Sequence, residues 1–174
     1  MEHGLEAAAR WLGILTTGLL VGSEDEESAK LLQKVVGGPA LADLRHWFAS
    51  ADPAASRDAR IAVIEACIAI VRADRAVGDV ERDAIERIVM LSELDEEAQA
   101  SLRKHVDEDV PLDGIAPRLA HPALREALLV LTWQIAKADG RVQDAEAGLY
   151  GMLADKLGVT PTRASELRSI LGKQ

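Results

Sequence analysis

The chain has 174 residues, enough for one domain with a sizeable core and short for two. Hydrophobic residues make up 48% but aromatics only 3%, so Leu, Ile, Val and Ala must fill that core, which suits closely packed helices better than strands. The 29 acidic and 20 basic residues leave a net charge of −9 with no Lys/Arg stripe, which argues against binding to nucleic acid or anionic lipid.

The most apolar run, residues 11–22, rises about 18 Å as a helix, too short for a bilayer core of ~30 Å. It predicts a buried first helix and no transmembrane segment, with peripheral membrane contact through 11–22 as the lesser alternative. Val21-Gly22-Ser23 has the small residues of a cleavage site, but a secretory signal needs a positive leader, and Glu2 and Glu6 offset Arg10. Ser23-Glu24-Asp25-Glu26 is a capping box that opens a second helix and explains the acidic run without a ligand. That helix runs to Gly37-Gly38. Pro39 starts a short third helix with Leu41, Leu44, Trp47 and Phe48 on one stripe. Residues 51–56, Ala-Asp-Pro-Ala-Ala-Ser, read as a connecting loop.

Beyond this point the pattern is more regular. Ile61, Ile64, Ile68 and Val71 mark one helix face, and Leu124, Leu128, Leu131 and Ile135 mark another. Each of these helices ends at an Ala-Asp pair and is followed by a further helix, carrying Ile85, Ile88 and Val89 in one case and Leu149, Met152, Leu153 and Leu157 in the other. Asp95, Thr160-Pro161 and His121-Pro122 have the chemistry of helix starts, and Pro111 to Pro117 reads as a loop or broken turn. Cys67 is the only cysteine, set among Ile64, Ala66 and Ile68. It reads as a small buried hydrophobe, and a disulfide-free chain fits a reducing, cytoplasmic setting. Trp133 and Trp47 are expected in the core, with Trp47-Phe48 as an alternative partner anchor. The fold class that follows is all-α, a compact multi-helix bundle in a single domain over 1–174.

Aligning Asp74 with Asp139 superposes two stretches without a gap. Arg72-Ala73-Asp74-Arg75-Ala76-Val77-Gly78-Asp79-Val80-Glu81 faces Lys137-Ala138-Asp139-Gly140-Arg141-Val142-Gln143-Asp144-Ala145-Glu146, matching the base, the alanine, both aspartates, the valine and the glutamate. An internal duplication of a helix–turn–helix unit over 57–174 is therefore expected, with 1–56 as N-terminal helices of unassigned role. The pattern Ala-Asp-Gly-x-Val-x-x-x-Glu, used twice among helices, resembles the tellurite-resistance TerB-like family over residues 57–171. The second copy matches closely, as does Leu157-Gly158-Val159, whereas Arg75 stands in the first copy where glycine is usual. The resemblance implies a bacterial helical bundle linked to tellurite or general stress responses, with acidic residues that bind metal ions. Related domains occur beside J-domains, but His121-Pro122-Ala123 lacks the aspartate that co-chaperone activity needs.

The turn residues admit two readings. Structurally, Gly140 stops a helix, Val142 plugs the core, and Asp144 and Glu146 favour the positive end of the next helix, each worth ~0.3–1 kcal/mol. In the first copy Gly78 takes the capping position, with Asp79 and Glu81 in the same roles. Functionally, Asp139, Asp144 and Glu146, with Asp74, Asp79 and Glu81, offer oxygens to a divalent cation such as calcium, magnesium or manganese; calcium takes about six to eight of them. Against the ion, the Asp-to-Glu interval is shorter than an EF-hand loop of about 12 residues. Residues i and i+2 on a helix do not face each other, and each stretch is nearly neutral. These points favour helix capping.

The chain has no Gly-x-Ser-x-Gly, Walker A, Gly-x-Gly-x-x-Gly or His-Glu-x-x-His motif. None of His3, His46, His105 or His121 completes a Glu-x-x-His pair; each is expected on a surface or at a helix end. The expectation is a non-enzymatic domain that binds an ion or a protein partner through its acidic turns. The alternative is a purely structural or oligomerising interaction module with no ion site.

Overall fold

The computed structural model describes residue 30 and residues 33–74, 77–110, 112–136 and 144–171. The helices expected over 11–22 and from Ser23 onward therefore lie largely outside the described residues, as does Trp11. Residues 33–36 are helical and stop at Gly37, whose φ of 93° only glycine adopts readily. Helix α1 (Gly38–Ser50) follows, with Pro39 in its first turn and Leu41 and Leu44 buried. Only Ala51 and Asp52 separate it from α2 (Pro53–Val71).

The loop expected over 51–56 is thus much shorter, and residues 53–56 are the first turn of α2. The Asp52 carboxylate accepts the N–H groups of Ala54 at 2.8 Å and Ala55 at 3.4 Å, and Pro53 takes the position where its missing N–H costs nothing. Composition that suggests a turn is here a helix start.

After α2 come a 3-10 turn (Arg72–Asp74), α3 (Asp79–Leu91), α4 (Glu96–His105), α5 (Ile115–Arg118), α6 (Pro122–Ala136), α7 (Asp144–Lys156) and α8 (Pro161–Leu171). The fold is all-α, with no strand among the described residues. The short α5 occupies part of the segment expected to be irregular. The Arg125 guanidinium holds it by donating to the carbonyls of Ala116 at 3.0 Å and Leu119 at 2.7 Å.

Among the described helices, α2 and α6 share the most extensive contact. Helices α3 and α4 pack on α2 and on each other, and α7 and α8 do the same with α6, while α1 lies against α6. The expected faces are inside: Ile64, Ile68, Leu124, Leu128 and Leu131 are all buried, as are Ile85, Ile88 and Val89. Leu153 and Leu157 are buried too, but Met152 is 46% exposed, which the apolar pattern of α7 does not anticipate. Trp47 and Trp133 are half-buried against the core. Trp133 meets Tyr150 edge-on at 5.0 Å, and the Arg168 guanidinium sits 5.6 Å from its ring centre.

The breaks before α4 and α8 use different chemistry for one geometry. At the end of α7, Gly158 has φ 69°, its N–H reaches the carbonyl of Asp155, and the Val159 N–H reaches that of Ala154, both at 2.9 Å. This is a Schellman closure, and Thr160 then caps α8 by accepting the Arg163 N–H at 3.3 Å. At the end of α3 the left-handed residue is Glu93, with φ 55°. The Ser92 hydroxyl donates to the Val89 carbonyl at 2.6 Å, and Asp95 caps α4 by accepting the Ala98 N–H at 2.9 Å.

A Cβ at Gly158 would meet nothing within 4 Å, so Gly158→Ala isolates the backbone cost of the left-handed position. Urea denaturation is expected to show a loss of about 1 kcal/mol. At Asp95, the Arg57 guanidinium at 2.6 Å and the Ala98 N–H lower the carboxyl from 3.8 to about 2. A depressed folded value means stability that is complete above the unfolded value and lost as pH falls toward 2. The Tm difference between wild type and Arg57→Ala is accordingly expected to shrink between about pH 4 and pH 2.

Candidate functional site

The first acidic turn begins where α2 runs out of apolar residues. Arg72 continues the chain as a 3-10 turn that packs against α7, the helix that carries Asp144 and Glu146. Its guanidinium donates to the Val106 carbonyl at 2.6 Å and to Asp109 at 3.3 Å, tying the turn to the segment after α4. Val77 packs against the core, the role expected of its counterpart Val142. The Gly78 carbonyl accepts the Arg82 N–H at 2.9 Å, so Gly78 does stand at the capping position and α3 begins at Asp79.

Of the six acidic residues singled out by sequence, three have described side chains. Asp79 and Asp144 are exposed at the first positions of α3 and α7, and Glu146 is half-buried two residues into α7. Asp74 closes the 3-10 turn and Glu81 lies in the first turn of α3, but their side chains are outside the described set, as is Asp139 altogether. Arg82 directs its guanidinium to Asp107, at 2.9 and 3.2 Å. That ion pair, with Asp79 nearby, raises the Arg82 pKa and lowers that of Asp107. Among the described residues no three His, Cys, Asp or Glu side chains gather as a cation-holding group.

Between the turn and α7 lies an open cleft of about 360 Å³, floored by Ala69, Ala73, Leu112 and Leu149, with Arg72 and Lys156 at its edge. Two groups with nucleophilic chemistry are locked away elsewhere. Burial pushes the Cys67 thiol up to about 12, and burial likewise pushes the Tyr150 hydroxyl to about 12 despite Arg168 nearby. The Tyr150 hydroxyl donates to the Ala164 carbonyl at 3.1 Å. Neither is ionised at neutral pH.

Sequence reasoning missed a charged cluster in the core. Glu65, 8% exposed in the middle of α2, accepts the Arg118 guanidinium at 2.5 Å, while Arg118 also donates to Asp58 at 2.9 Å. Burial works against the Arg118 charge, but the two carboxylates outweigh it and raise its pKa. The Nδ1 atom of His105 lies 3.7 Å from the other Glu65 oxygen, beyond hydrogen-bond distance. A lone glutamate in the apolar run of α2 is the signal that would have found this cluster, because a buried charge requires a partner. The partner itself, on α5, is too distant in sequence to read. Its position pins α5 onto α2.

A family model described as tellurite resistance protein TerB matches residues 60–169. The chain belongs to the TerB family. No curated protein and no solved structure matches it significantly. The TerB match begins within α2 and ends within α8, so α1 lies outside it, while the first acidic turn, the second and the Glu65–Arg118 pair lie within it. No described helix is long and apolar enough to cross a membrane.

The Glu65–Arg118 pair yields a prediction. Arg118→Met strands a buried carboxylate and is expected to cost about 3 kcal/mol in denaturant unfolding at neutral pH. The double variant Glu65→Leu/Arg118→Met is expected to recover most of that loss, because it removes both charges. A double variant as unstable as the single one would show that the pair contributes more than mutual neutralisation.

Proposed function

We propose that this TerB-family chain is a non-enzymatic stress-response domain of the bacterial cytoplasm, linked to tellurite resistance, that binds a divalent cation or a protein partner through its acidic turns. The observation that carries the reading is the packing of the first turn, Arg72–Asp74, against the helix that Asp144 opens. The first turn thereby sits against the helix that follows the second turn in sequence. Exposed Asp79 and Asp144, each at a helix start, offer oxygens to solvent, and Asp139, which sits in the copy with the family's glycine, is the first ligand to test. A hard cation such as calcium, magnesium or manganese suits a carboxylate-rich site.

A second reading has its own support. Asp79 and Asp144 stand where carboxylates favour the helix dipole, and Arg82 already binds Asp107. In that reading the turns stop and restart helices and the chain is a structural interaction module. Calorimetry with calcium, magnesium and manganese separates the two. A bound ion releases or absorbs heat that Asp139→Ala abolishes, and it stabilises the fold by about 2.7 kcal/mol at roughly 100 times Kd. No heat and an unchanged Tm with all three ions would remove the cation and leave the partner.

A further inference from the structure

We propose that the cleft between the 3-10 turn and α7 is a docking groove for an amphipathic helix with a small apolar face and basic flanks. The proposal rests on the partner half of the reading above, but on different residues.

The floor of the cleft is apolar and includes the exposed thioether of Met152, 46% accessible on a helix whose other large apolar side chains, Leu149, Tyr150 and Leu153, are buried or half-buried. A flexible, polarizable methionine on an open apolar surface suits a partner side chain that must be accommodated on binding. By helical spacing, Ala145 and Gly148 extend the face of Leu149 and Met152 along α7. Both are exposed, and a Cβ at Gly148 would meet nothing within 4 Å, so the bundle itself does not require glycine there. Glycine within a helix costs roughly 0.5–1 kcal/mol relative to alanine, and at this position it leaves room for another backbone to approach.

The charges at the rim select the occupant. Arg72 and Lys156 lean inward, with side chains 23% and 29% exposed, and are paired with Asp109 and Asp113, whose side chains are 106% and 87% exposed. An approaching molecule therefore meets carboxylates first, with exposed Glu108 beside them. Basic flanks complement this rim. A second copy of the chain, with the same carboxylates and a net charge of −9, does not.

The test is titration of the isotope-labelled full chain with a synthetic amphipathic peptide, Leu and Ala on one face and Lys on the other, followed by amide shifts. The expected shifts concentrate at Ala69, Ala73, Leu112, Leu149 and Met152. Met152→Asp and Gly148→Gln are each expected to weaken binding at least about tenfold, a loss typical of truncating an interface anchor. Gly148→Gln is expected to raise Tm at the same time, because glutamine is the better helix former, so misfolding cannot account for the lost affinity. Glu96→Lys/Glu97→Lys, at the far end of α4, should change affinity no more than about threefold, the screened effect of distant charge. Absence of peptide binding, shifts spread over the acidic surface, or equal losses in the α4 control would overturn the proposal. A concentration-dependent dimer abolished by Gly148→Gln would instead assign the groove to a second copy. Loss of the peptide with the cation heat intact sinks the groove alone, whereas peptide binding without cation heat removes the cation and keeps the groove.

Discussion

The packing of α2 on α6 is the contact on which the rest of the fold depends. Both helices are lined by buried alanines, Ala59, Ala62 and Ala66 on one and Ala123 and Ala127 on the other. Small side chains let helix axes approach toward the lower end of their usual ~8–10 Å separation. The branched residues around them then fill the space without aromatic bulk. Once this pair is formed, α3 and α4 have a surface on α2 and α7 and α8 have one on α6. The first acidic turn reaches α7 because the two long helices hold their neighbours at a fixed separation.

Helix existence and most helix starts were legible because they are written in local chemistry. Asp95, His121-Pro122 and Thr160-Pro161 are where the chain restarts, and each uses its own side chain on a nearby backbone N–H. The same logic misled at 51–56. Ala-Asp-Pro carries turn composition, and only the two hydrogen bonds to Asp52 show that the helix has already begun. Glu93 carries no local sign of its positive φ, since the hydrogen bonds of Ser92 and the capping by Asp95 impose it from either side. Met152 fell on the apolar face by spacing, yet burial is decided by what the partner elements leave uncovered.

The candidate site was legible only as a list of residue types. Sequence located the turns and placed Gly78 at the cap. It gave no sign that Arg72 would be drawn to Val106 and Asp109, or that Arg82 would be drawn to Asp107. These are pairings across elements, and no short-range pattern encodes them. The Glu65–Arg118 pair shows the same limit in the core: the stranded charge is visible in sequence, whereas its partner is fixed by topology.

Four of the described arginines share one use. Arg60, Arg72, Arg125 and Arg163 each donate to a backbone carbonyl on another element, Ser92, Val106, Leu157 and Val35 respectively. Planar guanidinium forks suit this use, which the single ammonium of lysine could not reproduce. The cations are thereby drawn toward the protein interior, and carboxylates such as Asp109 and Asp113 are left outermost. At the Arg72 and Lys156 sites the cation thus lies beneath a more exposed carboxylate. An oppositely charged visitor is captured from beyond contact range, over a screening distance of about 8 Å in physiological salt, so the internal stapling also governs how fast encounters occur.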